Sequence, residues 1–252
     1  MTLVRRDRGS GHTYWADGQQ LPGVTTILKQ LPKDALIEWA GRTTAEYAVD
    51  HWDDLADLKP SERLKKLNKA RYEERDQAAR KGVKVHQLAE ALAADREVSV
   101  PEYLAGHVDS YLRFLREWDP DPVAMELVVC NRQVIYCGTA DLVAHMAGQV
   151  WMLDIKTGRS GIWPEAAAQV CAYARAETYT TAGEDGAEHP LADLGITRCG
   201  ALHVRADGYD LRPLDSGDQV WLTFRHLAWL HHHADEMASW VGDAIFADPE
   251  AA

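Results

Sequence analysis

Gly138-Thr139-Ala140-Asp141-Leu142-Val143-Ala144-His145-Met146, a turn at Ala147-Gly148, then Gln149-Val150-Trp151-Met152-Leu153-Asp154-Ile155-Lys156 is the stretch on which the fold turns. Two apolar runs flank a short glycine turn, so Ala140 to Met146 and Val150 to Ile155 read as neighbouring antiparallel strands. Alternate side chains of a strand share a face. Met152, Asp154 and Lys156 therefore point one way, and Trp151, Leu153 and Ile155 the other. An acid and a lysine leave an otherwise apolar strand together. In a central strand both charges would sit where burial is costly, so something must compensate. Asp141, on the preceding strand, is the obvious second carboxylate. Two carboxylates side by side suit Mg²⁺ or Mn²⁺, which bind through few protein oxygens and keep open positions. A bound ion activates water and neutralises developing phosphate charge. An isolated Asp-x-Lys, by contrast, is ordinarily a solvated strand end.

Working outward, Val123 to Cys130 and Gln133 to Gly138 also read as strands, with a turn at Asn131-Arg132. Pro164 to Tyr179 reads as a helix with proline in its first turn. Thr180 to Pro190 reads as a polar loop, Arg198 to Val204 and Tyr209 to Arg212 as strands around Asp207-Gly208, and Ser216 to Ala247 as a closing helix. Upstream, Asp17-Gly18 predicts a hairpin over His12 to Gln20. Pro22-Gly23 breaks the chain before Val24 to Leu28. Pro32 to Leu55 reads as a helix with Asp34 as N-cap. A second long helical stretch starts at Pro60-Ser61 and is expected to bend or break near Gly82. Its far part carries an apolar stripe at Val85, Leu88, Ala89 and Leu92, spaced for one helix face. Pro101 to Trp118 is a third helix, stopped by Asp119-Pro120-Asp121-Pro122.

This order predicts an α/β, α+β-like fold: a central mixed β-sheet flanked by helices, plus a helical N-terminal portion. The 252 residues allow one large domain or two small ones at about 150 residues per domain. The expected layout is a single domain over 1–252. Residues 1–80 form a hairpin and helical portion, 81–215 the core, and 216–252 a closing helix.

Hydrophobic residues make up 46% and charged residues 26%, which excludes a chain disordered throughout. The sequence has no apolar run of membrane-spanning length and no apolar segment near Met1 to Ser10, so neither a membrane span nor a secretory signal is expected. The net charge is 27 − 39 = −12, and a uniformly acidic protein binds nucleic acid poorly. The charge is uneven. Lys59 to Lys84 holds ten Lys/Arg against four Asp/Glu, either a solvated helix face or a local electrostatic footprint. Cys130, Cys137, Cys171 and Cys199 form no C-x-x-C pair and are expected as buried free thiols. His231-His232-His233 lies on the closing helix, where adjacent side chains diverge, and is not expected to share a metal.

Four short motifs then fall in one order: Gly82-Val83-Lys84-Val85-His86, Gly138-Thr139-Ala140-Asp141, Asp154-Ile155-Lys156 and Gln169-Val170-Cys171-Ala172-Tyr173. The set resembles the PD-(D/E)XK nuclease superfamily, in its RecB-like and lambda-exonuclease-like phage branch. The resemblance covers about Gly82 to Tyr179. Leu21 to Leu28 also resembles the leader of phage-encoded members. The resemblance implies a restriction-endonuclease-like core. It also implies Asp141, Asp154, the backbone carbonyl of Ile155 and His86 as metal ligands, with Lys156 orienting the attacking water. Gln169 and Tyr173, four residues apart on one helix face, would stand beside the site, touching DNA or Lys156. Glu126 matches an extra acid of some exonucleases and is a candidate to engage a second metal or the DNA strand terminus; its parity with Val128 leaves its direction open. Glu90, one turn after His86, is a candidate to orient the imidazole. Arg80, Lys81 and Lys84 would guide the DNA backbone, and Trp163 is a candidate base-stacking platform. Relatives with an iron–sulfur cluster carry one cysteine upstream and three near the C-terminus; this chain lacks that pattern, so no cluster is expected.

The implied activity is metal-dependent hydrolysis of phosphodiester bonds at DNA ends, leaving a 5′-phosphate and a 3′-hydroxyl. The implied setting is phage recombination or replication in a bacterial host cytoplasm, with a single-strand annealing or recombination protein as a further partner. A structure-specific or restriction-like endonuclease shares the same metal chemistry. A noncatalytic DNA-binding subunit with a nuclease fold is the third reading, and the intact Asp141, Asp154 and Lys156 speak against it.

Overall fold

A computed structural model of the chain describes residues 2–8, 11–93, 96, 98–158, 161–181 and 186–245. Three strands open it: β1 (Leu3–Arg8), β2 (Gly11–Ala16) and β3 (Gln19–Leu21), paired antiparallel in that order. Asp17 and Gly18 both take positive φ, the conformation a two-residue hairpin turn needs, as the spacing predicts. Strand β1 is an addition to that hairpin. Its three arginines masked it, yet Leu3 is fully buried and pairs with Ala16.

Helices follow: α1 (Val24–Ile27), α2 (Asp34–Asp50), α3 (Trp52–Ala56), α4 (Pro60–Ala93) and α5 (Ala105–Trp118). Asp34 lies in the first turn of α2 and Lys33 holds the cap position, so the expected cap is displaced by one. Helix α4 runs unbroken through Gly82. One glycine costs a helix only about 1 kcal/mol, which its packed neighbours offset. The expected boundary between the N-terminal portion and the core, at residues 80 and 81, falls inside this helix. Left-handed Asp119 ends α5.

The main sheet is built from β4 (Asp121–Asn131), β5 (Tyr136–Met146), β6 (Gln149–Lys156), β7 (Thr178–Thr180), β8 (His189–Pro190), β9 (Arg198–Arg205) and β10 (Gly208–Pro213). Its seven strands lie in the order β10-β9-β6-β5-β4-β7-β8, with β6 and β9 parallel and the other neighbours antiparallel. The two strands expected on either side of Thr139 are one continuous strand, β5, which begins at Tyr136, so Gln133 to Ile135 belong to the turn instead. Helix α6 (Glu165–Ala174) stops five residues before the expected end, because Thr178–Thr180 pairs with β4 instead. β-branched and aromatic residues there favour the strand. Helix α7 (Asp218–His233) gives way to a 3-10 turn at Glu236–Trp240, well before Ala247; part of the predicted closing helix, and part of the predicted 180–190 loop, lie outside the described residues.

Each sheet face carries its own core. Met152, Val143, Ala140, Leu127 and Val129 pack with α1, α6 and α7 on one face. Leu153, Ile155, Leu142, Leu202 and Val204 pack with Ala89 of α4 and with Tyr111 and Phe114 of α5 on the other. The small N-terminal sheet covers Val128, Cys130 and Cys137 through Leu3, Tyr14, Ala16 and Leu21. The α4 stripe behaves as its spacing predicts, with Val85, Leu88 and Ala89 all buried. A mixed α/β fold with a large sheet flanked by helices is thus what the chain adopts. Among the described residues, no helix is long and apolar enough to cross a membrane.

Candidate active site

The site begins where the sheet splits. The β5–β6 ladder runs from Met146↔Gln149 to Leu142↔Leu153 and stops there. On either side the pairing continues: β4–β5 as far as Asn131↔Tyr136, and β6–β9 as far as Lys156↔His203. Asp141 and Asp154, next in register after the last pair, stand on opposite lips of the opening. The Ile155 N–H, left without a β5 partner, donates to Asp141 Oδ2 at 2.5 Å.

Plain alternation fails at this point. Ala140 faces one core and Leu142 the other, although they are two residues apart. The partner strand does the same: Leu127 faces the first core and Met125 the second. The slip on β4 is made at Glu126, which takes φ of +49°. Such local irregularities in a strand re-aim side chains. Here two facing slips turn Glu126 and Asp141 to the same side.

Helix α4 supplies the third group. His86 Nδ1 lies 3.3 Å from Asp141 Oδ1. Gly82, one turn earlier, allows this approach, since a Cβ there would meet Thr157 Oγ1 at 3.3 Å. Ligating atoms of His86, Glu126 and Asp141 all lie within 4.8 Å of one another. These three line a cleft with Glu90, Tyr111, Met125, Leu142 and Ile155. Burial disfavours charge on the imidazole, but the field and hydrogen bond of Asp141 outweigh it, helped by Asp154 and Glu126, and push His86 up to about 9. Burial also raises the Glu126 carboxyl, against the opposing hydrogen bond from Arg5. One imidazole and two carboxylates form a hard, oxygen-rich donor set that fits Mg²⁺ or Mn²⁺ and leaves positions open.

A second cluster lies on the α6 side. Gln169 and Tyr173 share a helix face, as their spacing predicts. Gln169 Nε2 donates to Asp154 Oδ1 at 2.8 Å and to Tyr173 Oη at 2.9 Å. Gln169 Oε1 accepts from Lys156 Nζ at 3.0 Å, and the same ammonium sits 2.7 Å from Asp154 Oδ2. Burial raises Asp154 to about 6, with Lys156 opposing and Asp141 adding to the rise. Tyr173 is pushed well above the usual phenol range by burial. Its ring rests on Gly138, where a Cβ would come within 2.4 Å of Cε1.

The sequence-predicted residues thus divide. His86, Glu126 and Asp141 come together, and so do Asp154, Lys156, Gln169 and Tyr173. Asp154, expected beside Asp141 as a ligand, is 3% exposed and turned to Gln169 and Lys156. Glu126, a candidate for a second metal, lies with His86 and Asp141. Ile155, expected to contribute its carbonyl, meets Asp141 through its N–H. Glu90 lines the cleft but pairs with Arg96 at 2.9 Å rather than orienting His86. Arg80 and Lys84 are exposed and Lys81 half-buried on α4, within two turns of His86. Trp163 is 49% exposed in the segment leading to α6.

Other site groups escaped the sequence reading. Arg5 Nη1 donates to Glu126 Oε2 at 2.6 Å, and Tyr14 Oη lies 2.9 Å from Thr139 Oγ1. Buried His203, in register with Lys156, holds the Gly158 carbonyl through Nε2 at 2.7 Å. The only sequence signal for the N-terminal contribution was the apolar alternation of Tyr14 and Ala16.

No protein-family model matches this sequence, and no curated protein does. Among solved structures, that of SSO0001 is similar over 56% of this chain and 60% of that one, with 11% identity and a TM-score of 0.30. This chain therefore spans less than two thirds of SSO0001, and a likeness of that score carries no argument about function.

Proposed function

We propose that this protein is a metal-dependent deoxyribonuclease of PD-(D/E)XK type that hydrolyses phosphodiester bonds at DNA ends. The observation that carries the reading is the His86–Glu126–Asp141 triad at the split between β5 and β6, where Asp154, the opposite lip, holds the Lys156 ammonium. The motif order in the sequence supports the same reading. His86, Glu126 and Asp141 would hold Mg²⁺ or Mn²⁺. When bound, the ion supplies charge neutralisation at the phosphate and a more acidic water. Lys156 presents positive charge to the phosphate oxygens in the transition state. Asp154 and Gln169 fix that ammonium from two sides, and Tyr173 fixes Gln169. The basic α4 draws the DNA backbone to one side of an otherwise acidic protein.

Digestion of end-labelled linear DNA and of closed circular DNA tests this, with Mg²⁺, Mn²⁺ or EDTA. The expected result is metal-dependent loss of linear DNA alone, abolished in Lys156→Ala. Cutting of the circle as well makes the protein an endonuclease. DNA binding with no cleavage under any metal leaves a noncatalytic subunit.

A further inference from the structure

Each acid of the site already has a resident cation. Lys156 sits on Asp154 and His86 on Asp141, both from inside the main fold. Glu126 alone is served from elsewhere, by Arg5 of the N-terminal strand β1, at 2.6 Å. The pair is part-exposed, with side chains 26% and 30% accessible, so it can open without unfolding the core. Arg5 also reaches Asp7 Oδ1 through Nε at 3.0 Å, and Asp7 is 68% exposed. Losing Glu126 would therefore not strand the guanidinium, because a second carboxylate on its own strand already holds it. Glu126 is in a different position. Its backbone is fixed by the hairpin, and its carboxylate lies within 4.8 Å of the other two ligand groups.

We propose that Arg5 is a displaceable counter-ion: it occupies Glu126 in the metal-free protein, and a divalent ion entering the triad takes Glu126 from it, leaving Arg5 on Asp7. This rests on the metal reading above. A guanidinium and a dication compete for one carboxylate, and the dication wins only by offering more charge at shorter range. The first residues of the chain therefore set how tightly the site takes its metal, with no ligand atom of their own.

Calorimetric titration of Mn²⁺ into DNA-free protein tests the exchange. Arg5→Gln is expected to tighten Mn²⁺ binding about fivefold, the equivalent of a part-buried ion pair worth ~1 kcal/mol. Arg6→Gln is the control for bulk charge, since its guanidinium lies over Trp15, and it should leave the affinity unchanged. In a Glu126→Gln background, Arg5→Gln should give no gain. If Arg5→Gln folds poorly, Arg5→Lys keeps the charge but not the two-pronged hold on Asp7 and Glu126, and should tighten binding by about twofold. Mn²⁺ binding that is lost in Asp141→Asn yet indifferent or weaker in both Arg5 variants overturns the exchange and leaves the metal reading standing. No Mn²⁺ binding by the unmodified protein overturns both.

Discussion

The two banks of the opening between β5 and β6 are built differently. On the α6 bank Asp154, Lys156, Gln169 and Tyr173 are tied by hydrogen bonds into one network, three of the four almost wholly buried. On the α4 bank His86, Glu126 and Asp141 meet mainly through charge, and two of the three are about 30% accessible. A closed network holds one arrangement and resists change. A part-exposed set of opposed charges can trade partners. The rigid bank suits holding a fixed cation toward a substrate, and the looser bank suits taking up an ion.

The largest expected effect is at Lys156. Lys156→Ala should cut cleavage by about 10²–10³-fold, the range for removing one electrostatic donor, and lower stability by about 1–3 kcal/mol, because buried Asp154 is left without its cation. A loss of stability with cleavage intact in the folded fraction would mean that the α6 bank is structural only. Next comes pH. A metal takes neutral imidazole, and His86 keeps its proton up to about 9, so Mn²⁺ affinity should rise about tenfold per unit from pH 6 to 8. The metal-free protein should behave oppositely. The His86 pKa is raised on folding, so the stability of its pair with Asp141 is complete below about 6.5 and fades as pH climbs toward 9. Thermal melts with EDTA and with Mn²⁺ across that range check both signs. A flat Mn²⁺ profile would detach His86 from the metal.

Gly138→Ala should cost about 2–3 kcal/mol by denaturant unfolding, because the new methyl meets the Tyr173 ring. The smallest effect expected is that of Tyr173→Phe, about 1 kcal/mol, from the hydrogen bond it removes from Gln169. If Tyr173→Phe instead abolishes cleavage at unchanged stability, the phenol touches substrate and the α6 bank is not merely a support.

The rigid bank was the legible one. Strand β6 alternates without interruption, so the common direction of Asp154 and Lys156 could be read from parity alone, and the spacing of Gln169 and Tyr173 gave their shared face. The helical stripe likewise placed Val85, Leu88 and Ala89 in the core. The looser bank was harder to read for physical reasons. A slip in strand phase leaves no mark in composition, so the direction of Glu126 and its place beside Asp141 and His86 could not be read from the sequence. The Arg5–Glu126 pair joins positions 121 residues apart, beyond any local pattern. Strand β1 was hidden because charged residues follow Leu3 and Val4, and the inward place of Arg5 depends on Glu126, on another element. The unbroken α4 was missed at Gly82 because the reason for that glycine, Thr157, lies on another element.

The facing slips at Glu126 and Asp141 carry a consequence for how the chain tolerates length changes. Together they act as a phase defect running across one hairpin, with Leu127↔Ala140 in phase on one side of it and Met125↔Leu142 on the other. Removing Glu126 or Asp141 alone would leave its strand out of step with its partner, so that facing core pairs on one side of the defect no longer meet. Removing both would restore plain alternation with each core residue on its present face, and would lose the two acids. Unmatched insertions and deletions are therefore barred from this hairpin, and the matched position of the two acids is protected by the packing as well as by the chemistry they perform.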